Sequence, residues 1–118
     1  MKINDLPTEQ KEQELLVRWL QLQYPHVLFC ASAGGLRTTT RMAINMKRAG
    51  YRKGFPDLFI YEPRNGCAGL AIELKRSKGG QVSEHQHKWI EDLKKRGYSA
   101  YICYGFDEAK AIIEKYLE

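Results

Sequence analysis

Two strand-length apolar runs, Asp57-Leu-Phe-Ile-Tyr and Leu70-Ala-Ile-Glu-Leu-Lys, flank the turn signal Pro63-Arg-Asn-Gly66, and they constrain this chain more than any other feature. Asn-Gly adopts the positive φ angles that tight hairpin turns require, so the runs read as adjacent antiparallel strands, although the connection exceeds two residues. In an antiparallel pair the numbers of facing residues have a constant sum. A turn centred on Asn65 makes that sum 130 and sets Asp57 opposite Glu73. Lys75 lies two residues beyond Glu73, so the strand period puts its side chain on the same face. Facing carboxylates, roughly 5 Å apart at Cβ, repel unless a cation stands between them. Two hard oxygen donors with positions left for water and phosphate suit Mg²⁺ or Mn²⁺ better than zinc. A neighbouring ammonium can hold an activated water or neutralise charge developing on a phosphoryl oxygen. The same spacing also describes an ordinary solvent-face pair on an edge strand.

The rest of the chain supplies elements to pack on this hairpin. Leu15, Leu16, Trp19, Leu20 and Gln23 recur at helical spacing behind Asp5 and Thr8, predicting a helix over about residues 8–23 that Pro25 ends. Val27–Ala31 reads as a buried strand, followed by a flexible loop from Ser32 to Gly35. Thr39 or Thr40 caps a second helix through about Ala49, with Met42, Met46 and Ala49 on one face and Gly50 as its stop. Ser83 opens a third helix to about Arg96, closed by Gly97. Tyr98–Tyr104 is an aromatic, β-branched strand, and Phe106–Leu117 a last helix with Ala109, Ile112, Ile113 and Tyr116 inward. The order α-β-α-β-β-α-β-α predicts an α/β fold: a mixed sheet of about four strands flanked by helices, in a single domain over residues 1–118.

At 118 residues such a domain buries a sufficient core without disulfides. Cys30, Cys67 and Cys103 form no CxxC pair and read as small buried hydrophobes. With no apolar run of membrane-spanning length and no secretory leader, the expected location is the cytoplasm. The net charge is +5, and its distribution is informative, because no carboxylate occurs from Leu15 to Pro56. Within that stretch Arg37, Arg41, Lys47, Arg48, Arg52 and Lys53 are candidate contacts to a phosphate backbone, or else a solvated basic face. His85 and His87 are two apart on a helix and cannot chelate one zinc. Gly34-Gly35 lacks the Gly-Lys-Ser/Thr ending of a phosphate-cradling loop.

Four blocks in order, GFPDL at 54–58, ELK at 73–75, KGG at 78–80 and SEHQHKW at 83–89, resemble the PD-(D/E)XK nuclease superfamily. Within it the chain is most similar to stand-alone phage and bacterial members of the VRR-NUC family. Glu9 with Gln13, and Gly34-Gly35-x-Arg37 before a helix, extend the likeness over nearly the whole chain. The string that names the family is absent after the ExK strand, which reads Lys75-Arg76-Ser77, and Glu12 and Glu14 compete with Glu9 for the helix-one role.

The resemblance implies a restriction-endonuclease-like core and Mg²⁺- or Mn²⁺-dependent hydrolysis of DNA in a bacterial or phage-infected cell, in repair or recombination. Asp57, Glu73 and the Leu74 backbone carbonyl would bind the metal, and Lys75 would act on the attacking water. Gln86 would orient Lys75 or a metal-bound water, and Glu9 would be an outer carboxylate. Gln86 also completes a Ser83-x-x-Gln86 capping box, and Glu9 suits a first helical turn on its own account. Branched or flapped DNA is the implied substrate, with a homodimer as its reader. The alternatives are a basic nucleic-acid-binding protein without turnover and a sequence-specific restriction-type endonuclease.

Overall fold

Asn65 and Gly66 turn the chain with φ angles of 51° and 81°, and the strands on either side pair antiparallel. The computed structural model describes residues 7–32 and 38–118. Its elements in chain order are α1 (Glu9–Gln23), β1 (Phe29–Ala31), α2 (Thr40–Arg48), β2 (Leu58–Ile60), β3 (Leu70–Lys75), α3 (Glu84–Lys95), β4 (Ser99–Tyr104) and α4 (Phe106–Leu117). This is the expected order. Hydroxyl caps start three of the helices: Thr8, Thr39 and Ser83 each accept a first-turn backbone N–H at 3.1–3.2 Å.

The sheet runs β1-β2-β3-β4. Leu58 faces Ile72, Phe59 faces Ala71 and Ile60 faces Leu70, the register expected from the sequence. The turn itself closes between Arg64 and Cys67, so residues 61–63 on the incoming side answer only 68 and 69 on the other. The additional residue is absorbed there and leaves the strand register untouched. β3 and β4 are parallel, from Leu70 beside Ser99 to Lys75 beside Tyr104. A parallel pair needs a crossover, and α3 provides it.

Alternation along β2 and β3 divides the sheet into two faces. Leu58, Ile60, Leu70, Ile72 and Leu74 pack with Leu16 and Leu20 of α1 and Ala109, Ile113 and Tyr116 of α4. Phe59 and Ala71 pack on the opposite face with Ile90 and Leu93 of α3. Asp57, Glu73 and Lys75 have the parity of this second face, where its apolar part ends.

Three expectations need correction. The first strand is neither buried nor as long as Val27–Ala31: it occupies only Phe29–Ala31, with Cys30 and Ala31 exposed, because it is the sheet edge. Of the cysteines expected inside, Cys103 is buried, Cys67 is half-buried and Cys30 is exposed. The third correction concerns α2, which buries none of its residues: Met42 is 54% exposed and only Met46 is half-buried. The loop expected from Ser32 to Gly35 lies, beyond Ser32, outside the described residues. Among the described residues no helix is long and apolar enough to cross a membrane.

Candidate active site

The pairing of β2 with β3 brings two acids together where β2 begins. Ser32 N–H donates to the Asp57 carbonyl at 2.8 Å, extending the β1–β2 ladder by one rung. On its other side Asp57 Oδ2 accepts the Leu74 N–H at 2.7 Å. Asp57 is therefore anchored to both neighbouring strands. In this register the residue opposite Leu74 is Pro56, buried and without an N–H. The Leu74 carbonyl, on the same strand edge as its N–H, thus lacks a ladder donor from β2. A proline and an aspartate in succession free one acceptor and aim another beside it.

Glu73 is 2% exposed and hydrogen-bonded to Asp57. Burial is the largest influence on its acidity, followed by this hydrogen bond and the Asp57 charge. Lys75 opposes them, and together they push the Glu73 carboxyl up to about 10. Two full charges about 4 Å apart would repel by about 4 kcal/mol at an effective dielectric constant of 20. Against a typical stability of about 5–15 kcal/mol that is too much to leave uncompensated. The pair therefore holds a proton, or a cation takes the proton's place.

The donor set fits a hard divalent cation. Asp57 and Glu73 supply carboxylate oxygens, and Leu74 a carbonyl without a ladder donor. Among the described residues no cluster of three or more His, Cys, Asp or Glu side chains could hold a metal, so most of a coordination sphere would fall to water or phosphate.

Lys75 is 6% exposed, and Glu73 and Lys75 lie on an interior strand, so the solvent-face edge pair does not describe them. The Lys75 ammonium acts on Glu73 by its field, with no ion pair within 4 Å among the described residues. Glu9 is exposed, and its charge also reaches Glu73. The other helix-one acids lie elsewhere. Glu14 is solvent-exposed. Glu12 is 5% exposed and accepts from Ser77 Oγ at 3.1 Å and from Phe106 N–H at 3.4 Å. It thereby caps α4, whose Gly105 start offers no side chain, and ties α1 to the segment after β3. Glu9, three residues earlier on the same helix, shares that side.

Gln86 is engaged in the capping box. Its Oε1 accepts the Ser83 N–H at 2.9 Å, and among the described residues no hydrogen bond joins it to Lys75. Arg41, Lys47, Arg48, Arg52 and Lys53 are all exposed, whereas Arg37 lies outside the described residues.

Sequence reasoning missed Tyr51. The end of α2 is a complete Schellman stop: Tyr51 N–H donates to the Met46 carbonyl at 2.9 Å and Gly50 N–H to the Lys47 carbonyl at 3.1 Å. That turn sends Tyr51 toward the two acids. Burial first, then the charges of Glu73 and Asp57, raise its phenol above the ordinary range. Lys47-Arg-Ala-Gly-Tyr51 carried the signal, since a glycine stop also directs the residue after it.

Gly54 explains how this segment meets α3. Its φ is +90°, and a Cβ there would lie 2.6 Å from the His85 backbone carbon. Gly54→Ala is expected to cost more than about 2 kcal/mol, from disfavoured backbone and overlap together. Denaturant unfolding measures the loss; wild-type stability in the variant would show that α3 does not bear on this turn.

A mixed α/β sheet with a buried glutamate, a half-buried aspartate bonded to it and a lysine at one end is the architecture of a nuclease-type domain. The chain belongs to the VRR-NUC domain family, whose model it matches over residues 3–107. A solved VRR_NUC domain protein is 28% identical, with a TM-score of 0.79 over 94% of this chain and 88% of that one. A second structure, a VRR_NUC domain, is 20% identical, with a TM-score of 0.56 over 89% of this chain and 97% of that one, and shares the fold. No curated protein matches the chain.

Proposed function

We propose that this protein hydrolyses DNA phosphodiester bonds with Mg²⁺ or Mn²⁺, selecting branched or flapped DNA. The observation that carries this reading is the pairing of half-buried Asp57 with buried Glu73, which needs a counter-charge and has Lys75 on the same sheet face. A divalent cation bound here would supply Lewis-acid charge to a phosphoryl oxygen. Asp57, anchored on both sides, and Glu73 would hold that cation with the Leu74 carbonyl. Lys75 orients the attacking water or meets charge developing on phosphate. Glu9 adds an outer acceptor, and the Gln86 amide NH₂ remains available to a neighbouring water. Half-exposed Met42 and Ile44 on α2, a helix with no buried side chain, support a homodimer that presents two sites to two strands.

The test is cleavage of single-stranded, duplex, flap and four-way DNAs, with Mg²⁺, with Mn²⁺ and with chelator. Metal-dependent cutting, fastest on flap or four-way DNA, is expected; no cutting on any of them refutes the reading. Replacing Arg41, Lys47 and Arg48 by Ala together is expected to weaken DNA binding regardless of sequence. The slope of log K against log salt should flatten by up to about 0.9 for each phosphate that no longer meets a cation. An unchanged slope would place the DNA on another face.

A further inference from the structure

A half-enclosed cleft of about 1250 Å³ separates the end of α2 from α3. Its inner wall is Trp89 and Leu93 of α3, and its rim carries Lys47, Arg52, Lys53 and Arg96. Among the described lining residues the acid is Asp92, already neutralised by Lys88 at 2.8 Å. Trp89 is locked in place: its Nε1–H donates to the Lys53 carbonyl at 3.0 Å, and Phe55 meets it edge to face at 5.1 Å. The Arg52 guanidinium lies over the indole, 4.9 Å from the ring centroid. Tyr51 belongs to the cleft wall and stands in the field of Glu73 and Asp57.

We infer that this cleft is a binding site for one unpaired DNA strand, with a base stacked on the Arg52–Trp89 pair and phosphates on Lys47 and Arg96. The chemistry of the wall selects the occupant. A ring of cations around a rigid aromatic floor suits a polyanion with flat apolar groups, and bases stack on guanidinium planes as they do on aromatic rings. A duplex keeps its bases stacked inside and offers no free base face to the Arg52–Trp89 pair. The site adds Trp89 and Arg96 of α3 to the DNA surface, and gives the nuclease an unpaired arm to grip. Its role in cleavage rests on the nuclease reading above; strand binding does not.

The experiment measures binding in chelator, where nothing is cut. A Trp19→Phe variant leaves Trp89 as the indole emitter, and oligothymidylate is expected to quench it, whereas a blunt duplex is not. Arg52→Ala should weaken oligothymidylate binding by about tenfold and blunt-duplex binding by less than about threefold. Arg96→Ala, at an exposed residue whose guanidinium bonds the Asp92 carbonyl at 2.9 Å, should follow the same pattern more weakly. Unquenched Trp89 with bound oligothymidylate, or equal losses for single strand and duplex, would overturn the site. A protein that binds strands here yet cuts no DNA with metal would refute the nuclease reading alone. One that cuts DNA while Trp89 stays unquenched would refute the cleft alone.

Discussion

Glu73→Gln is expected to abolish metal-dependent cleavage while making the metal-free protein more stable at neutral and alkaline pH. Glutamine keeps the shape and a hydrogen bond toward Asp57 but removes a charge that the folded state resists. The sign follows from the raised acidity constant of Glu73. Between the ordinary carboxylate range and about 10 the unfolded chain has released this proton and the folded chain still holds it. Stability contributed at low pH is therefore lost as pH rises through that window. Melting in chelator from pH 5 to pH 9 should show a decline in the wild type and a flatter profile in the variant. Added Mg²⁺ should stabilise the wild type, by about 2.7 kcal/mol at a hundredfold excess over Kd, and leave the variant unmoved. Asp57→Asn, which keeps an amide oxygen for the Leu74 N–H, should likewise lose both cleavage and the metal response. Wild-type cutting in either variant would remove the acid pair from the reaction.

Lys75→Met is expected to lower turnover by about 10²–10³ with DNA affinity in Ca²⁺ changed by no more than a few-fold. Methionine preserves the buried stem and deletes the ammonium, so the comparison isolates charge. The magnitude is that of losing one preorganised group aimed at developing charge. Metal affinity should hold or rise slightly, because a cation near Glu73 has been removed. Single-turnover kinetics with a parallel binding titration separates the two quantities. If affinity and turnover fall together, Lys75 is a phosphate anchor.

Much of this was legible because strand parity is a local rule. The pairing of Leu58 with Ile72 follows from the Asn65-Gly66 turn signal, and Asp57 then faces Glu73 by counting. α4 was readable to the residue, since its apolar positions recur at helical spacing between Gly105 and the last leucine. What failed depends on tertiary cover. Val27–Ala31 is apolar enough for an interior strand, but nothing local tells it that it will have one neighbour. Met42 and Met46 have a core-like spacing, but no sheet face comes to meet them. Tyr51 escaped notice because its direction is set by a helix stop, and its importance only by strands that begin several residues later. Glu9 and Glu12 were indistinguishable by position in a first turn; what separates them is Ser77 and Phe106, far along the chain.

The turn tip, Asn65 and Gly66, could be lengthened or exchanged without moving Asp57 relative to Glu73, because buried side chains also hold Leu58 against Ile72. Glu73 and Lys75 have no such freedom. One residue inserted between them would turn a side chain through the sheet into the layer beneath α4. Lineages descending from such a chain can drift in the gap between the first acid and the second while the step from acid to lysine stays constant. Kin sought by one rigid spacing across all three residues would be overlooked, and those sought by the acid–lysine step with an open gap before it would be found.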